Sequence, residues 1–121
     1  MLFRSEIAQL AETNRDVRRL SDLSTLASTR PRTLQRMFTR FAGVSPTWVI
    51  RRYRLLEAAE AVRHGETVSW ADLAIRLGYS DQAHLIRDFR AAIGRTPASY
   101  ASSQAQRLTS TDHRREPLPN A

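Results

Sequence analysis

One block of this sequence occurs twice. Leu34-Gln35-Arg36-Met37-Phe38, followed by Gly43 and Pro46, returns as Leu85-Ile86-Arg87-Asp88-Phe89, followed by Gly94 and Pro97, at a constant offset of 51 residues. Upstream, Leu23-Ser24 with Ser28 matches Leu73-Ala74 with Gly78 at an offset of 50, so the second copy holds one extra residue in its turn. A structural unit used twice in 121 residues is a strong constraint on the fold.

Each copy reads as a short helix, a tight turn and a longer helix. In the second, Ser69 is placed as an N-cap with Asp72 three residues on, and Val68 and Leu73 stand where a hydrophobic staple would close. Leu73, Ala74 and Leu77 share a helical face, and Gly78 ends the helix where a positive φ is expected. A second helix follows from Asp81 to Ala92, with Leu85, Phe89 and Ile93 inward. The first copy runs the same way from Ser21 to Ala42, with Pro31 in a first turn and Leu34, Met37, Phe38 and Phe41 inward.

Between the copies, Ser45 and Pro46 open a helix whose spacing continues through Val49, Leu56, Ala59 and Val62 to His64, where Gly65 stops it. Its expected length is about 28 Å. Ile7, Leu10 and Ala11 predict a packing helix ahead of Leu20, and Thr96-Pro97 a short one through Tyr100. After Ser102 the chain turns polar. The expected fold is all-α, about seven helices in two helix-turn-helix subdomains joined by a long linker helix. The first subdomain with the linker covers residues 1–65, the second 66–102, and a disordered tail 103–121.

The formal net charge is +7, and all 19 basic side chains are arginine. Arginine's planar fork can hold a phosphate or a guanine edge with two hydrogen bonds. Cysteine is absent, which excludes disulfides and thiolate metal sites. His64, His84 and His113 show no ligand spacing, and no glycine-rich phosphate loop or paired carboxylates occur, so no enzyme, metal or cofactor is expected. No run of about 20 apolar residues is present to cross a membrane.

The chemistry lies on the longer helix of each copy. Opposite the apolar set of the first stand Arg32, Gln35, Arg36 and Thr39, with Arg40 beside them, and no acidic residue occurs from Arg30 to Arg54. Solvated faces ordinarily mix signs. A stripe of arginine and glutamine suits guanine O6/N7 and adenine N6/N7. In the second copy the stripe is Ala83, Ile86, Arg87 and Arg90, with Gln82 and His84 nearby; Ile86 suits a thymine methyl. Asp88 on its flank is placed to orient Arg87 or Arg90, or to add solubility. Base contacts are expected from Arg32, Gln35, Arg36, Gln82, His84, Ile86 and Arg87, and phosphate contacts from Arg40, Arg51 and Arg90. Arg54 is expected to be structural and paired with an acid; Trp48, Trp70 and Tyr79 are expected as core or cap residues. Helices entering successive major-groove segments lie about 34 Å apart, which a spacer of about 28 Å plus packing offsets would span, so a monomer could grip a non-palindromic site.

The second unit, with Leu73-Ala74, Gly78-Tyr79-Ser80-Asp81-Gln82, Leu85, Arg87, Phe89, Gly94 and Thr96-Pro97, closely resembles the signature of AraC/XylS-type transcriptional regulators. The first unit, with Arg32 to Phe38, Gly43 and Ser45-Pro46, resembles that family's first helix-turn-helix, and Arg54-Leu55 with Ala58 its linker helix. The resemblance covers Leu20 to Ala101. It implies a bacterial regulator, usually an activator, that touches double-stranded promoter DNA and often RNA polymerase in the cytoplasm at the nucleoid. It places base-reading positions at Arg32, Gln35 and Arg36, and at Gln82, Ala83, His84, Ile86 and Arg87. Arg30 stands where the family has a serine cap, Ser28 where it has a turn glycine, and Ala83 is too short to read much. The chain is expected either as a short stand-alone regulator or as the DNA-binding portion of a longer ligand-sensing one. An all-helical protein-interaction module is the alternative.

Overall fold

The computed structural model describes residues 2–114, with side chains as far as 109. Over that span there are seven helices and no strand: α1 (Arg4–Thr13), α2 (Leu20–Ala27), α3 (Pro31–Ala42), α4 (Pro46–Arg63), α5 (Trp70–Arg76), α6 (Gln82–Ile93) and α7 (Pro97–Arg114). The all-α, two-unit architecture expected from the repeat is the one observed.

Short polar residues set the helix starts. Ser45 Oγ accepts the Trp48 N–H, Ser69 Oγ that of Asp72, and Asp81 Oδ1 that of His84. Each satisfies a donor that the first turn leaves without a helical partner. α2 begins one residue before the expected Ser21, because the Asp22 carboxylate takes the N–H groups of both Arg18 and Arg19 at 3.0 Å. Arg30 supplies no side-chain cap to α3; Pro31 at the first helical position fixes its start instead.

Two cores result. The first gathers Ile7, Ala11, Val17, Leu23, Ala27, Leu34, Phe38 and Ile50. The second gathers Leu55, Ala59, Ala74, Leu77, Tyr79, Leu85 and Phe89, with Trp70 packed edge-on against Phe89. α4 serves both. The single stripe expected along it, Val49, Leu56, Ala59 and Val62, is only partly the buried one: Val49 and Leu56 are half-exposed, and Ile50, Leu55, Ala59 and Val62 are buried. At about 100° per residue, Pro46, Ile50 and Arg54 fall on one side of the helix and Leu55, Ala59 and Val62 on another, more than a quarter-turn away. Ile50 and Arg54 meet the first unit and Leu55 and Ala59 the second, so α4 packs against both.

Arg54 joins α1 to α4. It is 4% exposed. Its Nη1 donates to the carbonyls of Asn14 and Val17, its Nη2 donates to that of Glu12, and its Nε lies 2.6 Å from Glu57 Oε1. The expected structural arginine with an acidic partner is observed, and the three carbonyls are added to it. They belong to the end of α1 and the loop after it, where helix carbonyls lack helical partners.

Three further expectations change. The segment expected to be a disordered tail from Ser103 continues as helix through Arg114, because Arg107 Nη2 donates to the Arg63 carbonyl and the Leu108 methyl lies 3.4 Å from where a Cβ on Gly65 would stand. Residues 115–121 of that tail lie outside the described residues. Phe41, expected inward, is 59% exposed: α3 overhangs the first core at its last turn, and Arg4 covers the ring at 3.4 Å instead. Trp48, expected as core or cap, is 49% exposed at the other overhang, with Arg52 over its ring at 5.4 Å.

Arg54→Ala is expected to lower unfolding free energy by about 3–5 kcal/mol in urea titrations, by stranding buried carbonyls and Glu57. Arg54→Lys should recover only part, because one ammonium cannot reach three carbonyls; full recovery would show that charge alone suffices. The turns make an opposed pair. Ser28 ends α2 at φ 49°, the one positive φ among the described non-glycine residues, where Gly78 at φ 78° serves the second unit. Ser28→Gly should raise stability by about 0.5–1 kcal/mol, and Gly78→Ala should lower it by about 1 kcal/mol, in the same titration. A gain from the alanine would disprove the backbone argument, since the nearest atom to its Cβ is at an ordinary 3.5 Å.

Candidate nucleic-acid interface

Burial of Leu34 and Phe38 turns α3 so that Arg32, Gln35, Arg36, Thr39 and Arg40 all stand exposed along its outer side. Burial of Leu85 and Phe89 does the same for α6, exposing Gln82, Ala83, Arg87 and Arg90. Among the described residues, no hydrogen bond or ion pair holds the side chains of Arg32, Arg36, Arg87 or Arg90. Each helix presents arginine forks whose donors are free for an outside acceptor. Arg40 is exposed too, with its guanidinium 5.6 Å from the Phe41 ring.

The second stripe is not uniform. Ile86 is half-buried. The His84 ring stands edge-on to Tyr79 at 5.0 Å, and its Nε2 is 3.7 Å from Asp88 Oδ2, so His84 lies beside the stripe, toward Tyr79. Asp88 does not orient Arg87 or Arg90 as expected; it accepts the Tyr79 hydroxyl at 2.8 Å. Burial, together with this bond to Asp88 and the carboxylate's charge, pushes the Tyr79 phenol above the usual tyrosine range, against a smaller lowering by Arg51. It is held as a neutral donor.

Arg51 departs furthest from expectation. Its Nε donates to the Leu77 carbonyl at 3.3 Å and its Nη2 to that of Gly78 at 2.9 Å, and the guanidinium covers the Tyr79 ring at 4.1 Å. A fork committed to two backbone carbonyls and a ring is not turned outward, and Arg51 leaves the set of phosphate candidates. Arg19, which no sequence pattern singles out, does the same from the first unit: its Nη2 donates to the Ile75 carbonyl at 2.7 Å and its Nε to that of Arg76 at 3.2 Å. Backbone acceptors lying 56 and 57 residues away leave no trace in side-chain spacing.

No group of metal-binding side chains occurs among the described residues, and no helix there is long and apolar enough to cross a membrane. What the surface offers is two helices with outward arginines and amides, suited to anionic backbone and base edges.

Comparison with known proteins agrees with this chemistry. A family model described as a helix-turn-helix domain matches residues 23–103. The probable transcription factor PqrA of Proteus vulgaris is 37% identical over 67 residues, covering 55% of this chain and 54% of that protein. The HTH-type transcriptional activator RhaS of Escherichia coli is 38% identical over 66 residues, covering 54% of this chain and 23% of RhaS. The matched region thus spans about half the length of the first relative and about a quarter of the second. Among solved structures, the C-terminal domain of AraT, a response regulator from Geobacillus stearothermophilus, shares the fold with a TM-score of 0.58 at 22% identity, over 82% of this chain and 83% of that one. The paired units, the shared α4 and the match across residues 23–103 agree: the chain belongs to the AraC-type helix-turn-helix family of transcriptional regulators.

Proposed function

We propose that this chain recognises promoter DNA by laying α3 and α6 into two successive major-groove segments on one face of the duplex. The observation that carries the reading is the pair of exposed stripes on repeated helices, with the first free of acidic residues and both packed against one helix. Arg32, Gln35 and Arg36 read bases from α3; Gln82, Ile86 and Arg87 read them from α6, with His84 at the edge of the contact. Arg40 and Arg90 grip phosphates on either flank. α4 holds 18 residues, about 27 Å of helix, which with packing offsets suits helices one DNA turn apart. Two reading helices in one chain allow binding as a monomer.

Activation of transcription, with RNA polymerase as a further partner, is proposed from the likeness to the transcriptional activator RhaS. A second reading, service as the DNA-binding part of a longer ligand-sensing regulator, is favoured by the small share of RhaS that the match covers. It leaves the DNA chemistry unchanged. The contrary reading, a helical module that binds protein alone, leaves the outward arginines without a task.

Selection from random duplexes tests the reading. Two short conserved blocks about one helical turn apart are expected; no enriched motif, with binding that vanishes as salt rises, would overturn it. On the selected site, Arg36→Ala is expected to cost about 1–3 kcal/mol and relax preference at one base pair. Arg40→Ala should weaken all sequences alike and reduce the slope of log K against log salt by about one unit. A base-specific loss at Arg40 would move it into the reading set.

A further inference from the structure

We infer that Arg19 and Arg51 form a bracket that fixes how far apart, and at what rotation, the two recognition helices stand, and so sets the half-site spacing this protein accepts. The inference rests on the two-groove reading above and adds to it the residues that determine spacing.

A shared helix alone is a poor ruler. α4 gives the two units a common axis, and the second unit could still rock about it. The bracket acts at a distance from that axis. Arg19 stands at the start of α2 in the first unit, and Arg51 on α4. Between them they take the four successive carbonyls of Ile75, Arg76, Leu77 and Gly78, at the end of α5 in the second unit. The end of a helix carries the negative pole of its dipole, so two guanidinium groups there are electrostatically matched as well as hydrogen-bonded. Both forks also converge on Gly78, where a Cβ would stand 3.5 Å from Arg19 Nε and 3.8 Å from Arg51 Nη2. The connection continues to the reading surface. Arg51 covers Tyr79, and the Tyr79 hydroxyl donates to Asp88 on α6. The first unit is thereby tied, through backbone acceptors and one phenol, to the helix that would enter the second groove.

One base pair more or fewer between half-sites moves the second by about 3.4 Å and turns it by about 35°. A rigid pair of reading helices rejects that change; a pair that can rock accepts it. Both arginines stand outside the two apolar clusters, and the folding of each variant is checked directly.

The test compares affinities for the selected duplex and for duplexes with the spacer one base pair longer or shorter. In the parent protein, the correct spacing should be favoured by about tenfold or more, as for a lost base contact. The Arg19→Gln/Arg51→Gln double variant should bring that ratio within about threefold, with affinity for an isolated half-site unchanged. Arg51→Lys keeps the charge without the fork and should relax the ratio partway. Circular dichroism and urea unfolding establish folding; if the double variant does not fold, Arg19→Gln and Arg51→Lys carry the comparison. A parent ratio that survives in the variants overturns the bracket and leaves the two-groove reading standing. Equal weakening at every spacing makes these residues phosphate contacts and also overturns it. A parent indifferent to spacing overturns the two-groove reading first, and the bracket with it.

Discussion

One helix has to satisfy two cores at once. Ile50 and Leu55 are both fully buried, five positions apart, in different clusters. Five residues of α-helix turn about 500°, which brings the second side chain well round from the first, so the two clusters cannot merge. Everything else in the architecture follows from that division. Each unit closes its own core against its own side of α4, and each then has a helix left over whose far side meets only solvent. A linker with a single apolar stripe would have drawn both units to the same side, and buried surface would have competed with recognition surface.

Arginine performs three separate jobs here, and the absence of lysine fits all three. At Arg54 the fork holds three carbonyls and a carboxylate inside the protein. At Arg19 and Arg51 it spans neighbouring carbonyls across a subdomain boundary. On α3 and α6 it points outward. A guanidinium keeps its charge at any ordinary pH and is weakly hydrated, which allows the first job; its fixed geometry allows the second and third. Residue type therefore does not reveal which job a given arginine holds. The acid at i+3 marks Arg54, and the surrounding acid-free helix marks Arg36, but Arg51 lies in the same acid-free run and faces inward.

Local rules were readable directly from the residues. The caps at Ser45 and Ser69 act within three residues of where they stand, and Leu34, Phe38, Leu85 and Phe89 lie at the centre of their helices' inner faces. Two of the errors share one cause. Periodicity gives the angle of a side chain about its helix, not whether a neighbour exists at that height along the axis. Phe41 and Trp48 have suitable angles but overhang the ends of their cores, so arginines cover them. α7 gave the opposite error: its polar sequence suggests a tail, yet Leu108 beside Gly65 and Arg107 on the Arg63 carbonyl hold it. At the candidate interface, the exposure of both stripes was legible because the inner faces define it. The turn of Arg51 and His84 toward Tyr79 was not, since Tyr79 lies outside their own helices.

The outward stripes of α3 and α6 take no part in holding their helices. Each of these helices is fixed at its start by Pro31 or Asp81, ended at Gly43 or Gly94, and anchored by a leucine and a phenylalanine. On the proposed reading, substitution of Arg32, Gln35, Arg36 or Arg87 changes what is read with little effect on whether the protein folds. Because the two helices belong to separate cores, one half of the recognised site can be rewritten while the other is kept. A duplicated module built this way can acquire a new binding site in two independent steps, retaining half of its old address throughout.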